Sequence, residues 1–169
     1  MMSVFFIADT HFGDDDIRRY ENRPFKDTDE MDRVIADNWN RVVSEEDEVF
    51  LLGDIGDVKS LENLKGKKFL IKGNHDTMTN EEYRTLGFCE VYDRPVIFES
   101  FWILSHEPLY VNRNMPYANI FGHIHNDPAY RSVSSRSRCV SVERILYTPI
   151  SFEQIVSEVK KEDERESNE

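Results

Sequence analysis

The sequence predicts an α/β fold in which short buried strands and helices surround one core. Three observations carry this. Apolar runs of strand length recur along the chain, each cut off by glycine or by polar residues. A capped amphipathic helix separates the first two runs. Later runs follow one another closely, which points to a mixed sandwich of sheets with helices.

The first run, Val4–Ala8, sits in MMSVFFIAD, which lacks the basic region and small-residue cleavage site of a signal peptide and reads as a strand. The clearest helix follows Asp27, with Glu30 at the third helical position in a capping-box pattern and Met31, Val34, Ile35, Trp39 and Val42 on one face. Strands are expected at Val49–Leu52 and Phe69–Ile71, then a short helix at Asn80–Leu86. Further strands are expected at Val96–Phe98, Phe101–Leu104, Asn119–Phe121 and Cys139–Val142. A last helix starts near Ser151, where Ser-Phe-Glu-Gln fits a capping box and Ile155, Val156 and Val159 follow. The domain is drawn over residues 1–159. Residues 160–169, KKEDERESNE, carry no apolar side chain and read as a charged, disordered tail.

A length of 169 residues suits one domain with a sizeable core, and 39% hydrophobic with 12% aromatic residues argues against disorder. No apolar run approaches the roughly 20 residues of a membrane span. Two distant cysteines imply neither a disulfide framework nor a thiolate metal cluster, so a cytoplasmic location is expected. A formal charge of −12 disfavours an extended nucleic-acid surface, although acidic groups can draw a cation to a local site. The aromatic-rich segments Tyr92–Trp102 and Tyr110–Tyr117 either cover the core or pair subunits in a homodimer.

The chemistry lies at the strand ends. IKGNHD places Asn74, His75 and Asp76 directly after an apolar strand, where unsatisfied polar groups cost roughly 2–7 kcal/mol each. FFIADTH does the same with Asp9 and His11, LLGDIGD with Asp54 and Asp57, ILSHEP with His106, and IFGHIHND with His123 and His125. All 5 histidines fall in these clusters. The carboxyl ends of strands line the ligand crevice of α/β sheets, so the segments would converge if they share one edge. A donor set of Asp, His and Asn without Cys suits borderline divalent ions. It is too large for one catalytic ion and about right for two, which would clamp the oxygens of phosphoryl transfer.

Asp9-x-His11, Gly53-Asp54, Gly73-Asn74-His75-Asp76, His106 and Gly122-His123-Ile124-His125 occur in the order seen in calcineurin-like metallophosphoesterases, and the chain resembles that superfamily. DTHFG, NRPF and LYTPISFEQI resemble its small bacterial and phage-type subgroup. The resemblance implies a four-layer α/β sandwich, two mixed β-sheets flanked by helices. It implies that Asp9, His11 and His125 hold one metal and Asn74, His106 and His123 the other, with Asp54 and a water or hydroxide between them. Manganese is the first expectation, with iron, zinc, nickel or cobalt as alternatives. His75 would stabilise phosphoryl charge or protonate the leaving group, and Asp76 would orient its ring or merely cap the turn.

Departures narrow the substrate. The arginine that follows the bridging-Asp motif in protein Ser/Thr phosphatases is absent from Asp54-Ile-Gly-Asp57-Val58, and Asp57 stands where purple acid phosphatases carry a ligand Tyr. The subgroup's His after Phe12-Gly13 is replaced by Asp14, with Asp15 and Asp16 making the entrance acidic. Arg23 and Arg113 are the leading substrate-phosphate candidates, and Arg131, Arg136 and Arg138 follow them; of these, Arg136 and Arg138 read more as a solvated loop. With no cap domain, an open cleft acting on small phosphodiesters, and less on monoesters, is expected. The alternatives are a nuclease for short nucleic acid or a catalytically silent scaffold. A Ser105–His106 nucleophile pair is poor, because neighbours on a strand point to opposite faces.

Overall fold

The computed structural model describes residues 2–112, 114–130 and 134–167. Four parallel strands, β1 (Val4–Ile7), β2 (Glu48–Leu51), β3 (Lys67–Ile71) and β4 (Phe88–Tyr92), form a sheet whose other edge is the antiparallel β9 (Ile150–Ser151), in the order β4-β3-β2-β1-β9. A second mixed sheet has the order β5 (Val96–Phe98), β6 (Trp102–Leu104), β7 (Ala118–Phe121) and β8 (Ser137–Cys139); β5–β6 is antiparallel and the other pairs are parallel. Four helices accompany them: α1 (Asp15–Tyr20), α2 (Thr28–Val42), α3 (Asn80–Thr85) and α4 (Phe152–Ser167).

The register explains the core. Phe6, Phe50 and Phe69 are partners across β1, β2 and β3, and their rings stack at 5.5 and 4.9 Å. Phe98 of the second sheet sets its ring edge-on to Phe6 at 5.9 Å and Phe50 at 5.3 Å, and Phe152 of α4 meets both Phe98 and Trp102. Aromatic residues of Tyr92–Trp102 thus join the two sheets and α4 in one core. Such ring pairs add roughly 0.5–1.5 kcal/mol each beyond burial.

Helix α2 buries Met31, Ile35 and Trp39, while Val34 is half-buried and Val42 exposed. Asp27 caps it by accepting from Glu30 N at 2.8 Å; Glu30 reaches back past the cap to Lys26 N at 2.7 Å. Helix α3 has the full capping box between Thr79 and Glu82.

Two strands and one helix escape the periodicity reading, and the strand expected over Cys139–Val142 instead ends at Cys139, with Val142 opening a 3₁₀ turn. Strand β4 is an edge strand whose pairing with β3 shifts register at Lys68/Phe69, and β9 has only two residues. Helix α1 buries nothing and is held by Asp14, whose carboxylate accepts from Ile17 N at 3.0 Å, and by Asp15 pairing with Arg18 and Arg19. The expected tail is also corrected: α4 continues past Val159 to Ser167. Its Lys, Glu and Arg residues are good helix formers, and Glu158 and Asp163 tie it to Arg138 and Arg136. No helix among the described residues is long and apolar enough to cross a membrane.

Candidate metal centre

Because β1, β2 and β3 are parallel, their carboxyl ends deliver Asp9, Asp54 and Asn74 to one edge. The second sheet brings His106 after β6 and His123 and His125 after β7 to the same edge. The sheets are stitched there by Ala8 N–H donating to Val140 O at 2.9 Å and Val142 N–H to Ala8 O at 3.1 Å. All the donors proposed from sequence therefore meet.

The turns that present them are strained. Asp9, His11, Asp54, His123 and His125 all have left-handed backbones, with φ between 44° and 70°. Such conformations cost of order 1–3 kcal/mol each and persist where surrounding structure imposes them. The glycines of the motifs permit close approach: a Cβ on Gly53 would lie 2.7 Å from the Gly73 backbone, and one on Gly122 would lie 2.8 Å from Asp9 Oδ2.

Two groups of potential ligand atoms lie at this edge, Asp9–His11–His125 and Asp54–His106–His123, and a third, Glu21–His125–Glu143, shares His125. Asp54 Oδ2 lies 3.7 Å from His11 Nε2 and 3.4 Å from His106 Nε2, so it faces both. Asn74 Oδ1 is 2.9 Å from His106 Nε2 and 3.1 Å from His123 Nδ1. The nitrogens are aimed by partners on their other side. His106 Nδ1–H donates to Leu52 O at 2.8 Å and His125 Nδ1–H to Glu143 Oε1 at 3.1 Å, which turns each Nε2 toward the donor cluster. His11 is 2% exposed, yet its Nε2 has no hydrogen-bond partner among the described residues. A buried orphaned imidazole nitrogen facing a carboxylate fits a divalent cation.

The electrostatics agree. Burial pushes the Asp9 carboxyl up to about 6 despite the nearby His125 and His106, and it pushes the His11 imidazole down to about 4. Burial also opposes charge on His106, but its hydrogen bond to Asp54 and the charge of Asp9 win and raise it to about 9. The pocket holds a proton on His106 where a cation would otherwise balance the carboxylates.

Several expected roles change. Asp76 does not reach the His75 ring; its carboxylate accepts from Asp54 N at 2.7 Å, Gly73 N at 2.8 Å and Ile55 N at 3.1 Å, so it caps the turns that hold the donors. Arg23 is withdrawn from substrate. It is 4% exposed and donates to Thr10 O, Asp9 O and Glu143 Oε1. Arg113 and Arg131 lie outside the described residues; Arg136 and Arg138 are bound to α4. Asp14 and Asp15 are engaged within α1, and Asp14 Oδ2 also lies 3.5 Å from His11 Nδ1. Asp57 caps the 3₁₀ turn Val58–Leu61. Ser105 Oγ donates to Glu107 O, as befits a structural serine.

His75 is exposed, with its ring 5.4 Å from that of His11 and its N–H donating to Asp54 Oδ1 at 2.8 Å. Sequence reasoning missed Glu143, which lies in a stretch with no recognisable motif and is paired with Arg23 at 2.7 Å as well as with His125.

The calcineurin-like phosphoesterase family model matches residues 2–165. The chain belongs to that family. An uncharacterized protein of Methanocaldococcus jannaschii is 31% identical over 173 residues, covering 95% of this chain and 93% of that one. The gene 66 protein of mycobacteriophage L5 is 31% identical over 99 residues, covering 52% of this chain and 47% of its own. A crystal structure of a protein of unknown function from Aquifex aeolicus superposes with a TM-score of 0.74 at 25% identity, covering 93% of this chain and 99% of that one. The family is typically dimetal-dependent and points to hydrolysis of phosphate esters.

Proposed function

We propose that the protein is a dinuclear metal-dependent phosphoesterase that hydrolyses small phosphodiesters in preference to monoesters. Asp9, His11 and His125 would hold one ion, Asn74, His106 and His123 the other, and Asp54 would reach both. Bound there, a pair of divalent cations supplies charge to the phosphoryl oxygens and acidifies water. Manganese is the first candidate, given a donor set of carboxylate, imidazole and amide oxygen.

The preference for diesters rests on one observation: two clefts open from the donor cluster. One, of about 280 Å³, is lined by Asn74 and His106; the other, of about 440 Å³, by His123 and His125. Glu107 borders both. A diester has two substituents to accommodate and a monoester only one. With Arg23 committed to the protein backbone and Glu143, it is not free to grip a dianionic monoester.

The chain's own groups divide the work. Asp76 fixes the backbone of Asp54, Glu143 turns the His125 ring, and Leu52 O sets the tautomer of His106. His75, exposed at the rim, would give a ring N–H proton to the departing alkoxide. With manganese supplied, bis(p-nitrophenyl) phosphate should be cleaved faster than p-nitrophenyl phosphate, and Asp54→Ala should lower the rate by at least about 100-fold. Undiminished turnover by a metal-analysed Asp54→Ala protein would falsify the reading, and a faster monoester reaction would overturn the diester preference.

A further inference from the structure

The two clefts differ in charge, and the difference has a chemical meaning. The cleft beside His123 and His125 is walled by Tyr20, Tyr130, Glu21 and Asp127, with no lysine or arginine among the described residues of its walls. Tyr20 is 81% exposed and Tyr130 49%. The cleft beside Asn74 and His106 is walled instead by Lys72 and Arg94, together with Asp93, Pro95 and Leu109.

Arg94 is placed by the fold. Strands β3 and β4 are parallel, so the chain leaves β4 at the edge where β3 delivers Asn74; Lys72 N–H still pairs with Tyr92 O there at 2.9 Å. Asp93-Arg94-Pro95 then crosses from the last strand of one sheet to the first strand of the other. The following proline confines Arg94 to extended backbone, which limits the entropy lost when it engages a ligand. Asp93 is occupied, accepting from Lys72 Nζ at 3.2 Å and Asn80 Nδ2 at 2.7 Å. Arg94 is not: unlike Arg18, Arg23, Arg84 and Arg138, each paired with a carboxylate, its exposed guanidinium has no partner among the described residues.

We propose that the Arg94 cleft is a subsite for a second phosphate, so that the substrate is a short diester with a terminal phosphate on one arm. Its uncharged aromatic arm, a nucleobase or aryl group, lies against Tyr20 and Tyr130 in the other cleft. A guanidinium matches two phosphate oxygens in a forked geometry, and stacking on tyrosine suits any flat ring. The acidic walls of the tyrosine cleft repel a phosphate there, so the two arms are not interchangeable. The same asymmetry admits one extra anionic group while the overall charge of −12 discourages a long polyanion.

This inference rests on the diesterase reading, and the test separates the two. Manganese-loaded wild type, Arg94→Gln and Arg94→Lys are compared on thymidine dinucleotides with and without a terminal phosphate, at the 5′ or the 3′ end. Wild type should prefer one phosphorylated form by about tenfold in kcat/KM, carried by KM, because a charge-assisted contact is gained. Arg94→Gln should erase that preference and Arg94→Lys should retain part of it. In parallel, inhibition by thymidine 3′,5′-bisphosphate relative to inorganic phosphate should weaken about tenfold in Arg94→Gln. Equal use of phosphorylated and unphosphorylated dinucleotides, or a preference that survives Arg94→Gln, overturns the subsite and leaves the diesterase reading standing. Failure to cleave any dinucleotide or aryl diester overturns both.

Discussion

Glu143 shows how one side chain far from any motif can orient a candidate ligand, the His125 ring. Burial works against its charge, but the hydrogen bond from His125 and the Arg23 guanidinium hold its carboxyl below the usual range. It therefore stays ionised and keeps the His125 Nδ1–H turned toward itself. Glu143→Gln should weaken metal affinity by about 10–100-fold in calorimetric titration. A purely structural glutamate would lower the melting temperature and leave the affinity of the folded protein unchanged. The cysteines give a second residue-level expectation. Cys139 is buried beside Ser141, and burial pushes its thiol up to about 11, whereas Cys89 is exposed. Iodoacetamide should alkylate Cys89 in the native protein and reach Cys139 only after unfolding, as mass spectrometry of digests would report.

At the scale of elements, the strand-end turns depend on caps as much as on ligands. Asp76 satisfies three backbone N–H groups, two of them in the turn that carries Asp54. Asp76→Ala leaves those donors unpaired and should cost about 1–3 kcal/mol in urea unfolding of the metal-free protein. Asp27→Ala, which removes only the cap of α2, should cost about 1 kcal/mol and leave metal binding intact. The two variants thus distinguish a cap that supports the donors from one that supports only a helix.

For the whole molecule, the donor edge is a meeting of two sheets, so metal binding and folding are linked. An ion present at 100 times its Kd should stabilise the native state by about 2.7 kcal/mol, visible as a fall in melting temperature on adding a chelator. Asp54→Ala should abolish that fall. Binding should also release protons at pH 7. In the metal-free protein His106, raised to about 9, is protonated at that pH, and a ligand nitrogen must give its proton up. Affinity should then rise with pH up to about 9, and calorimetry in buffers of different ionisation enthalpy would count the protons.

The convergence of the candidate donors was legible in the sequence because each donor follows a strand, and a strand end is a local feature marked by an apolar run stopping at glycine or a polar residue. The core strands, α2 and α3 were legible through periodicity and caps for the same reason. What only the tertiary structure decided was partnership between distant residues. Burial of Arg23 against Glu143, capture of Asp54's turn by Asp76, helical order beyond Val159 and the lack of a partner for Arg94 among the described residues all depend on which groups meet across the fold. Composition and spacing show that a charge is present; whether it faces solvent, a ligand or another charge is settled by packing.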